Sequence, residues 1–497
     1  MADVLAEPLG KVHTKIVATV GPASRDPAVL KALIEAGVDV FRLNFSHGTH
    51  EEHAETLQAI RAVADDCGRL IAVLQDLGGP KVRLGPIPGD QVECPRGALF
   101  RLVAERTSDD PHELTSTYRE LARDLRPGAT VLFADGVVAM RVEHVDERGA
   151  ELRVTLAGRL RSRQGINVPD VPLSLQALTD KDKADLEWTA QHKVEYVGLS
   201  FVQRPGDLVE LREELDRRGC RARIVAKIEK PQAVENLEEI LAQTDAVMVA
   251  RGDLGVEMDV AKVPAIQKRI ISACHRARIP VITATQMLNS METSNRPTRA
   301  EASDVFNAVL DGTDAVMLSG ETAIGQYPVE AVATMSRIAA EAERLLLSGD
   351  VPSAVRSNKA GQAPFGGRGG WIQPITESVV EAASLVSRRL GAALMIVVTH
   401  SGRTALALSK QRSGTPTLAL SDNAEIARAM ALYWSVTPLH FPAATDSERA
   451  LNFALDWACE RNLVARGDRV VLVSGTMPNS PIHNGMLVRE VDGAGAG

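Results

Sequence analysis

Residues Ile224 to Val234 read IVAKIEKPQAV, an apolar, β-branched run broken by a lysine and a glutamate. A continuous rather than alternating apolar run suits a strand covered on both faces, as in a parallel sheet. Side chains two apart on a strand point to the same side, so Lys227 and Glu229 share one face. Burying either charge unpaired is costly. The stretch therefore asks for a covered sheet, and for a purpose for its two charges.

Similar runs recur on either side, each followed by a polar loop and a helical pattern. Upstream are KIVATVGPAS (15–24), VDVFRLNFSHG (38–48), LIAVLQDLGGPKVR (70–83) and VEYVGLSFV (194–202). Then come RIVAKIEKP itself, DAVMVARGDLG (245–255), PVITATQML (280–288) and DAVMLSGETA (314–323). Helical patterns such as PAVLKALIEAG, QAVENLEEILAQ and VPAIQKRIISACHRAR separate them. Eight β-α units over ~250 residues predict a (β/α)8 barrel, with an open doubly wound sheet as the alternative.

The repeat is interrupted after its third strand. Between about residues 85 and 171, ATVLFADGVVAMRVEHV and AELRVTLAGRL read as antiparallel β, punctuated by Gly and Pro. This predicts an inserted small β-barrel domain, residues 85–171, overhanging the barrel mouth as a lid. The barrel then comprises 11–84 and 172–348. Residues 349–375, containing SNKAGQAPFGGRGGW, read as a Gly-rich linker or mobile loop. From 376 to 490 a second α/β pattern gives the helix VVEAASLVSRRL and strands ALMIVVTH, TPTLALS and DRVVLVSG; the tail DGAGAG reads as disordered.

Composition narrows the function classes. At 497 residues the chain is too long for one ordinary core. Its net charge of −8, without lysine or arginine runs, argues against nucleic acid or an anionic membrane as the main partner. The N-terminus MADVLAEPLGK lacks a signal-peptide pattern, and no apolar run approaches the ~20 residues of a membrane span. Five scattered cysteines without C-x-x-C spacing fit reduced thiols in a cytoplasm. The eleven histidines form no zinc-type cluster.

In such a barrel the chemistry lies at the carboxyl ends of the strands, and polar residues gather there. In strand order they are Arg42, Asn44, Ser46 and His47; Asp76, Lys81 and Arg83; Ser200; Lys227 and Glu229; Arg251, Gly252 and Asp253; Thr285 and Gln286; and Ser319 and Glu321. Glu229 and Asp253, on neighbouring strands, are hard oxygen ligands suited to Mg²⁺ (Mn²⁺ being an alternative). Arg42, Arg83 and Lys227 are cations suited to clamping a phosphoryl group. The turn RGDLG is expected to open the loop after strand six, its N–H groups free for an anion. Glu229 is assigned to a metal and Lys227 to a phosphoryl group, rather than both to a buried salt bridge. No G-x-x-x-x-G-K-[ST] loop or protein-kinase signature is present. The constellation says metal-assisted phosphoryl transfer or enolate chemistry.

At these residues the sequence resembles the pyruvate kinase family. FRLNFSHG, IVAKIEKPQAV, RGDLG, ATQML, PTRAE-SDV-NAVLDG-D and MLSGETA stand in that family's order and at its spacing. The resemblance implies transfer of a phosphoryl group from phosphoenolpyruvate to ADP, giving pyruvate and ATP, in a cytoplasmic homotetramer. It implies Mg²⁺ on Glu229 and Asp253, phosphoryl stabilisation by Lys227, and phosphate contact by Arg42. Thr285, with the backbone of Gly252 and Asp253, would contact substrate, and Ser319 would help relay the proton that converts enolpyruvate to pyruvate. Asn44, Ser46, His47 and Arg83 fall on the nucleotide side.

Three departures from the family pattern stand out. The K⁺ position matches Asn44, Ser46, Asp76 and Leu77, where Leu77 replaces a threonine and Lys81 replaces a glutamate. We expect the Lys81 ammonium to substitute for K⁺; the alternative is that Lys81 is a further phosphate contact. In RSRQGINVP, Gln164 stands where relatives place a nucleotide-binding lysine, leaving Arg163 as substitute. THSGRT (Thr399, Ser401, Gly402, Arg403, Thr404) resembles an effector-phosphate loop for a sugar phosphate or nucleotide, but its partner loop SGTMPNSPIHNGM lacks the Gly-Thr-Asn run, so an inert site is the alternative. Two rival functions remain: a related phosphoenolpyruvate or enolate lyase or aldolase, and a non-catalytic sensor.

Overall fold

The computed structural model describes residues 12–105, 107–169, 171, 176–349, 372–444, 447–475 and 482–491. The Gly-rich part of the 349–375 linker, the DGAGAG tail and most of SGTMPNSP lie outside the described residues.

Eight strands close into a parallel barrel in the order β1 (Lys15–Thr19), β2 (Val40–Asn44), β3 (Ala72–Asp76), then, beyond the insertion, β12 (Tyr196–Leu199), β13 (Arg223–Ile228), β14 (Ala246–Ala250), β15 (Val281–Ala284) and β16 (Ala315–Leu318), which returns to β1. They are the eight runs picked out by hydrophobicity. Strand parity divides their side chains between two cores. Val17, Val40, Leu74, Val225, Met248 and Met317 fill the barrel interior. Ile16, Phe41, Val73, Ile224, Ala226 and Ile228 pack outward under the helices. Ala429, Ala431 and Leu432 of the C-terminal domain join the interior cluster, and the Tyr196 hydroxyl donates to the Ala429 carbonyl at 2.6 Å.

The insertion carries β4 (Gln91–Cys94), β5 (Leu99–Leu102), β6 (Glu113–Leu114), β7 (Thr130–Phe133), β8 (Val138–Asp146), β9 (Gly149–Leu156), β10 (Gly158–Arg161) and β11 (Ile166–Asn167). They form a six-stranded sheet, β11-β7-β8-β9-β5-β6, and a two-stranded ribbon, β10-β4, around one apolar core. The C-terminal sheet runs β19 (Val436–His440), β18 (Thr417–Ser421), β17 (Leu394–Val398), β20 (Arg469–Ser474) and β21 (Gly485–Glu490). The sequence reading named only β17, β18 and β20. The two missed strands are the sheet's edges, one containing Pro438 and the other largely exposed, so neither shows a buried-strand run.

Two local expectations change. QAVENLEEILAQ is two short helices, Pro231–Glu235 and Leu237–Leu241, broken at Asn236, whose side-chain amide donates to the Gln203 carbonyl at 2.9 Å. RGDLG is not an open turn: the chain passes from β14 directly into the helix Arg251–Glu257. Among the described residues no helix is long and apolar enough to cross a membrane.

Candidate active site

Strand parity places the chemistry. Val40 and Arg42, Leu74 and Asp76, and Val225 and Lys227 each share an inward face, so three charged side chains crown an apolar interior. Asp76, 1% exposed, is their hub. Its Oδ2 accepts from Arg42 Nε at 2.7 Å and lies 2.6 Å from Arg42 NH2, while its Oδ1 lies 3.2 Å from Lys227 Nζ. Burial pushes the Asp76 carboxyl up, but Lys227 and Arg42 outweigh it and hold the group below the ordinary carboxylate range. Lys227 Nζ also donates to Ser200 Oγ at 2.7 Å and pairs with Glu229 Oε1 at 2.8 Å. Burial disfavours its ammonium, yet Asp76 and Glu229 reverse the sign and keep it charged. The Lys227–Glu229 salt bridge set aside on sequence grounds therefore exists, within a wider network.

Glu229 is 1% exposed, and its Oε2 accepts from the Phe201 amide at 2.8 Å. Burial raises its carboxyl and Lys227 opposes that, but the Asp253 carboxylate raises it further. Two carboxylates that repel each other across adjacent strand ends are a donor set that a divalent cation fits. Among the described residues no cluster of three or more His, Cys, Asp or Glu side chains is present, so substrate or water must complete any coordination at this pair.

Past β15 the backbone is strained. Thr285 and Gln286 have φ of +67° and +54°, a conformation unusual for a β-branched residue and common at functional sites. Arg251 supports this turn by donating to the carbonyls of Thr285 (2.8 Å) and Gln286 (3.3 Å) while pairing with Asp304 at 2.6 Å. It therefore props the turn instead of facing the mouth as a free cation. The Gly252 amide, expected to be open to an anion, donates to Thr285 Oγ1 at 2.7 Å. A Cβ on Gly252 would come within 3.3 Å of that oxygen. Ser319 Oγ is buried without a hydrogen-bond partner among the described residues, while Glu321 accepts from the Ser319 and Leu288 amides at 2.7 and 3.0 Å. A buried hydroxyl left unmatched at a barrel mouth suits a group reserved for substrate.

On the β2 and β3 side, Asn44 Oδ1 accepts from the Ser46 amide at 3.2 Å, and the His47 carbonyl contacts His53 Nε2 at 2.9 Å. Ser46 and His47 are exposed. Arg83 does not join Arg42 and Lys227: its NH1 donates to the Arg163 carbonyl of the lid at 3.3 Å. Lys81 also leans towards the lid, its Nζ 4.0 Å from where a Gly165 Cβ would lie. Leu77 has outward parity and is 1% exposed in the outer core, so its side chain offers no polar group to the mouth. Gln164 Oε1 accepts from the Arg161 amide at 2.8 Å.

In the C-terminal domain Thr399 Oγ1 accepts from the Gly402 amide at 3.1 Å, and Ser401 and Arg403 are exposed. Thr404 Oγ1 lies 3.0 Å from His483 Nδ1, and the His483 amide donates to Thr376 Oγ1 at 2.9 Å. The Ser401 carbonyl accepts from Arg223 NH2 at 3.2 Å. Arg223 opens β13, the strand whose other end bears Lys227.

Residues 11–332 match the family description "Pyruvate kinase, barrel domain", and 377–488 match "Pyruvate kinase, alpha/beta domain". The chain belongs to the pyruvate kinase family. A pyruvate kinase from Geobacillus stearothermophilus is 40% identical over 468 residues, 94% of this chain and 78% of that one. Pyruvate kinase 2 of a Synechocystis strain is 42% identical over 474 residues, 94% of this chain and 77% of its own. A solved pyruvate kinase from Cryptosporidium parvum superposes with a TM-score of 0.88 at 32% identity, covering 97% of this chain and 96% of that one. The protein is thus a pyruvate kinase-family enzyme of phosphoryl transfer between phosphoenolpyruvate and ADP, using a divalent metal. The lyase, aldolase and sensor readings fall away. The sequence assigns Ser200 no role and does not reveal Arg251 as the prop of the Thr285 turn. The left-handed Thr285 that would have pointed to it is a backbone property with no sequence signature.

Proposed function

We propose that this enzyme moves the phosphoryl group with Lys227 and Arg42, held by Asp76, while Glu229 and Asp253 hold Mg²⁺ or Mn²⁺. The observation that carries this reading is the buried Arg42–Asp76–Lys227–Glu229 network at one end of the barrel. Its cations are fixed by buried carboxylates, so they meet developing phosphoryl charge without reorganising. The bound cation would supply charge neutralisation and polarise substrate oxygens. Thr285, with Gly252 and Asp253, orients the substrate carboxylate. Ser319 Oγ takes part in delivering the proton to the enolate methylene under the lid formed by residues 85–171, away from bulk water.

The nucleotide lies over Asn44, Ser46 and His47, with Arg83 and Arg163 on the lid side. K⁺ is not required, because Leu77 supplies no side-chain oxygen to the mouth while Lys81 supplies an ammonium on the lid-facing side. The Thr399–Thr404 loop takes a sugar phosphate or nucleotide effector. Exposed Met486, Leu487 and Val488 on edge strand β21 favour pairing with another copy, in keeping with the homotetramer that the family resemblance implies, and five free cysteines suit a cytoplasmic setting.

A lactate-dehydrogenase-coupled assay with phosphoenolpyruvate, ADP and Mg²⁺ tests the central assignment. Lys227→Met is expected to lose about a hundred- to a thousandfold in kcat, on the scale of removed transition-state charge stabilisers, while keeping its circular-dichroism spectrum. Near-normal turnover in that variant would sink the role given to Lys227.

A further inference from the structure

Asn167, Lys230 and Glu257 come from three different parts of the chain and meet in one buried contact. Asn167 is on the last lid strand, β11, and is 8% exposed; Glu257 ends the helix Arg251–Glu257 and is 3% exposed. Lys230 directly follows Glu229 in KIEK, and its side chain is 13% exposed. A single oxygen, Glu257 Oε1, accepts from Asn167 Nδ2 at 2.7 Å and from Lys230 Nζ at 2.6 Å. Lys230 Nζ also sits 5.7 Å from the centre of the Phe201 ring, and Phe201 is the residue whose amide holds Glu229.

The placement gives the contact its meaning. Glu257 lies one helical turn beyond Asp253 on the same short helix, and Lys230 lies one residue beyond Glu229. A carboxylate that binds both elements fixes the separation of the two carboxylates assigned to the metal, and through Asn167 it also fixes the last strand of the lid. Buried charges of this kind hold position only while each keeps its partner. Groups behind a metal ligand commonly set its orientation and affinity.

We propose that Glu257 is a positioning residue that serves both lid placement and metal-site geometry, with Asn167 as its lid-side partner and Lys230 as its strand-side partner. The proposal rests on Glu229 and Asp253 being the metal ligands. It separates the roles within the triad: Lys230 with Glu257 sets the carboxylate spacing, and Asn167 with Glu257 sets the lid.

Three measurements on the full-length enzyme test it: Mn²⁺ titration by the paramagnetic resonance signal of the free ion, amide hydrogen exchange of residues 166–168 without ligand, and steady-state kinetics. Glu257→Gln is expected to weaken Mn²⁺ about tenfold, because the ion pair that ties the Asp253 helix to the Glu229 strand end is lost. Adding Lys230→Met to it is expected to leave binding weakened by about the same factor, since the tie is then missing from both sides. Recovery to near wild-type affinity would mean that an uncompensated Lys230 charge, and not lost spacing, weakens the metal, and would overturn the positioning role. Asn167→Ala is expected to speed exchange at 166–168 about tenfold and raise the KM for phosphoenolpyruvate more than it lowers kcat. Its Mn²⁺ affinity in the free enzyme should stay unchanged.

Glu229→Gln serves as the control. If it retains wild-type Mn²⁺ affinity, the ligand assignment fails. If it loses Mn²⁺ while Glu257→Gln does not, the positioning role alone fails. Unchanged lid exchange and KM in Asn167→Ala would equally overturn the lid half, and that variant keeps the test open should Glu257→Gln not fold.

Discussion

Asp76 shows how much one residue can decide. A buried carboxylate with a single cation nearby is an ordinary ion pair, but Asp76 holds two, Arg42 from the neighbouring strand β2 and Lys227 from β13, two strands away on the other side. With Glu229 it leaves the network of two cations and two anions formally neutral, so each charge is pinned and none is free to wander. Leu77, one residue further on, has the opposite parity and vanishes into the outer core. That parity, together with Lys81, is why we expect independence from K⁺. Rates in potassium-free buffer should stay within about twofold of those in 100 mM KCl, checked against a tetramethylammonium control; activation of tenfold or more by KCl would refute it. Lys227, Glu229, Asp253 and Arg42 were all legible as residues in the sequence. The partnership between Asp76 and Arg42 was not, because it forms between two residues 34 apart in sequence, on strands whose register no local pattern states.

At the scale of elements, the helix Asp180–His192, which re-enters the barrel after the lid, holds the loops assigned to the nucleotide. Lys181 Nζ donates to the Phe45 carbonyl at 2.7 Å, and Asp185 contacts His50 Nε2 at 2.7 Å. Asp182 Oδ1 accepts from the Gly79 amide at 3.2 Å. The helix begins with a capping box: Thr179 Oγ1 accepts from the Asp182 amide at 3.1 Å, and Asp182 Oδ2 accepts from the Thr179 amide at 2.9 Å. Removing the cap by Thr179→Ala should cost about 1 kcal/mol of stability, read from the denaturation midpoint. It should raise the KM for ADP more than that for phosphoenolpyruvate, because Asp182 also holds Gly79. Equal effects on both substrates would mean that the helix supports the fold alone. Strand existence was readable here because both faces are covered and the apolar runs are continuous. The edges β19 and β21 and the helical RGDLG were not, since an edge lacks the run and Gly permits either turn or helix.

For the whole molecule the telling place is the junction of barrel and C-terminal domain. Asp314, at the barrel's lower end, is shared by Lys410 and Arg412 of the C-terminal domain at 2.6 and 2.8 Å. Beside them Glu343 accepts from the amides of His13 and Thr14 at 2.8 and 2.6 Å, and His13 Nδ1 meets Ser435 Oγ at 2.7 Å. Burial, then Lys15 and Arg412, lower the His13 pKa from 6.5 to about 4. Between those values the unfolded chain binds a proton that the folded one refuses, so stability rises with pH and is lost as pH falls from 6.5 towards 4. The contribution is at most about 3 kcal/mol. His275, lowered by burial, acts in the same direction, whereas burial raises Glu343, which acts in the opposite one. His13→Gln should therefore flatten the dependence of Tm on pH in that window relative to wild type, and an unchanged slope would refute the assignment. The amino-acid sequence by itself determined the barrel, its interruption, the second α/β domain and the identity of the charged residues at the strand ends. Those features follow from local periodicity and residue chemistry. Only the tertiary structure decided which charges meet, that Arg83 turns to the lid while Arg251 braces Thr285, and that Asn167, Lys230 and Glu257 converge on one oxygen. Such contacts depend on register and on distances across the closed barrel, and no stretch of chain carries that information locally.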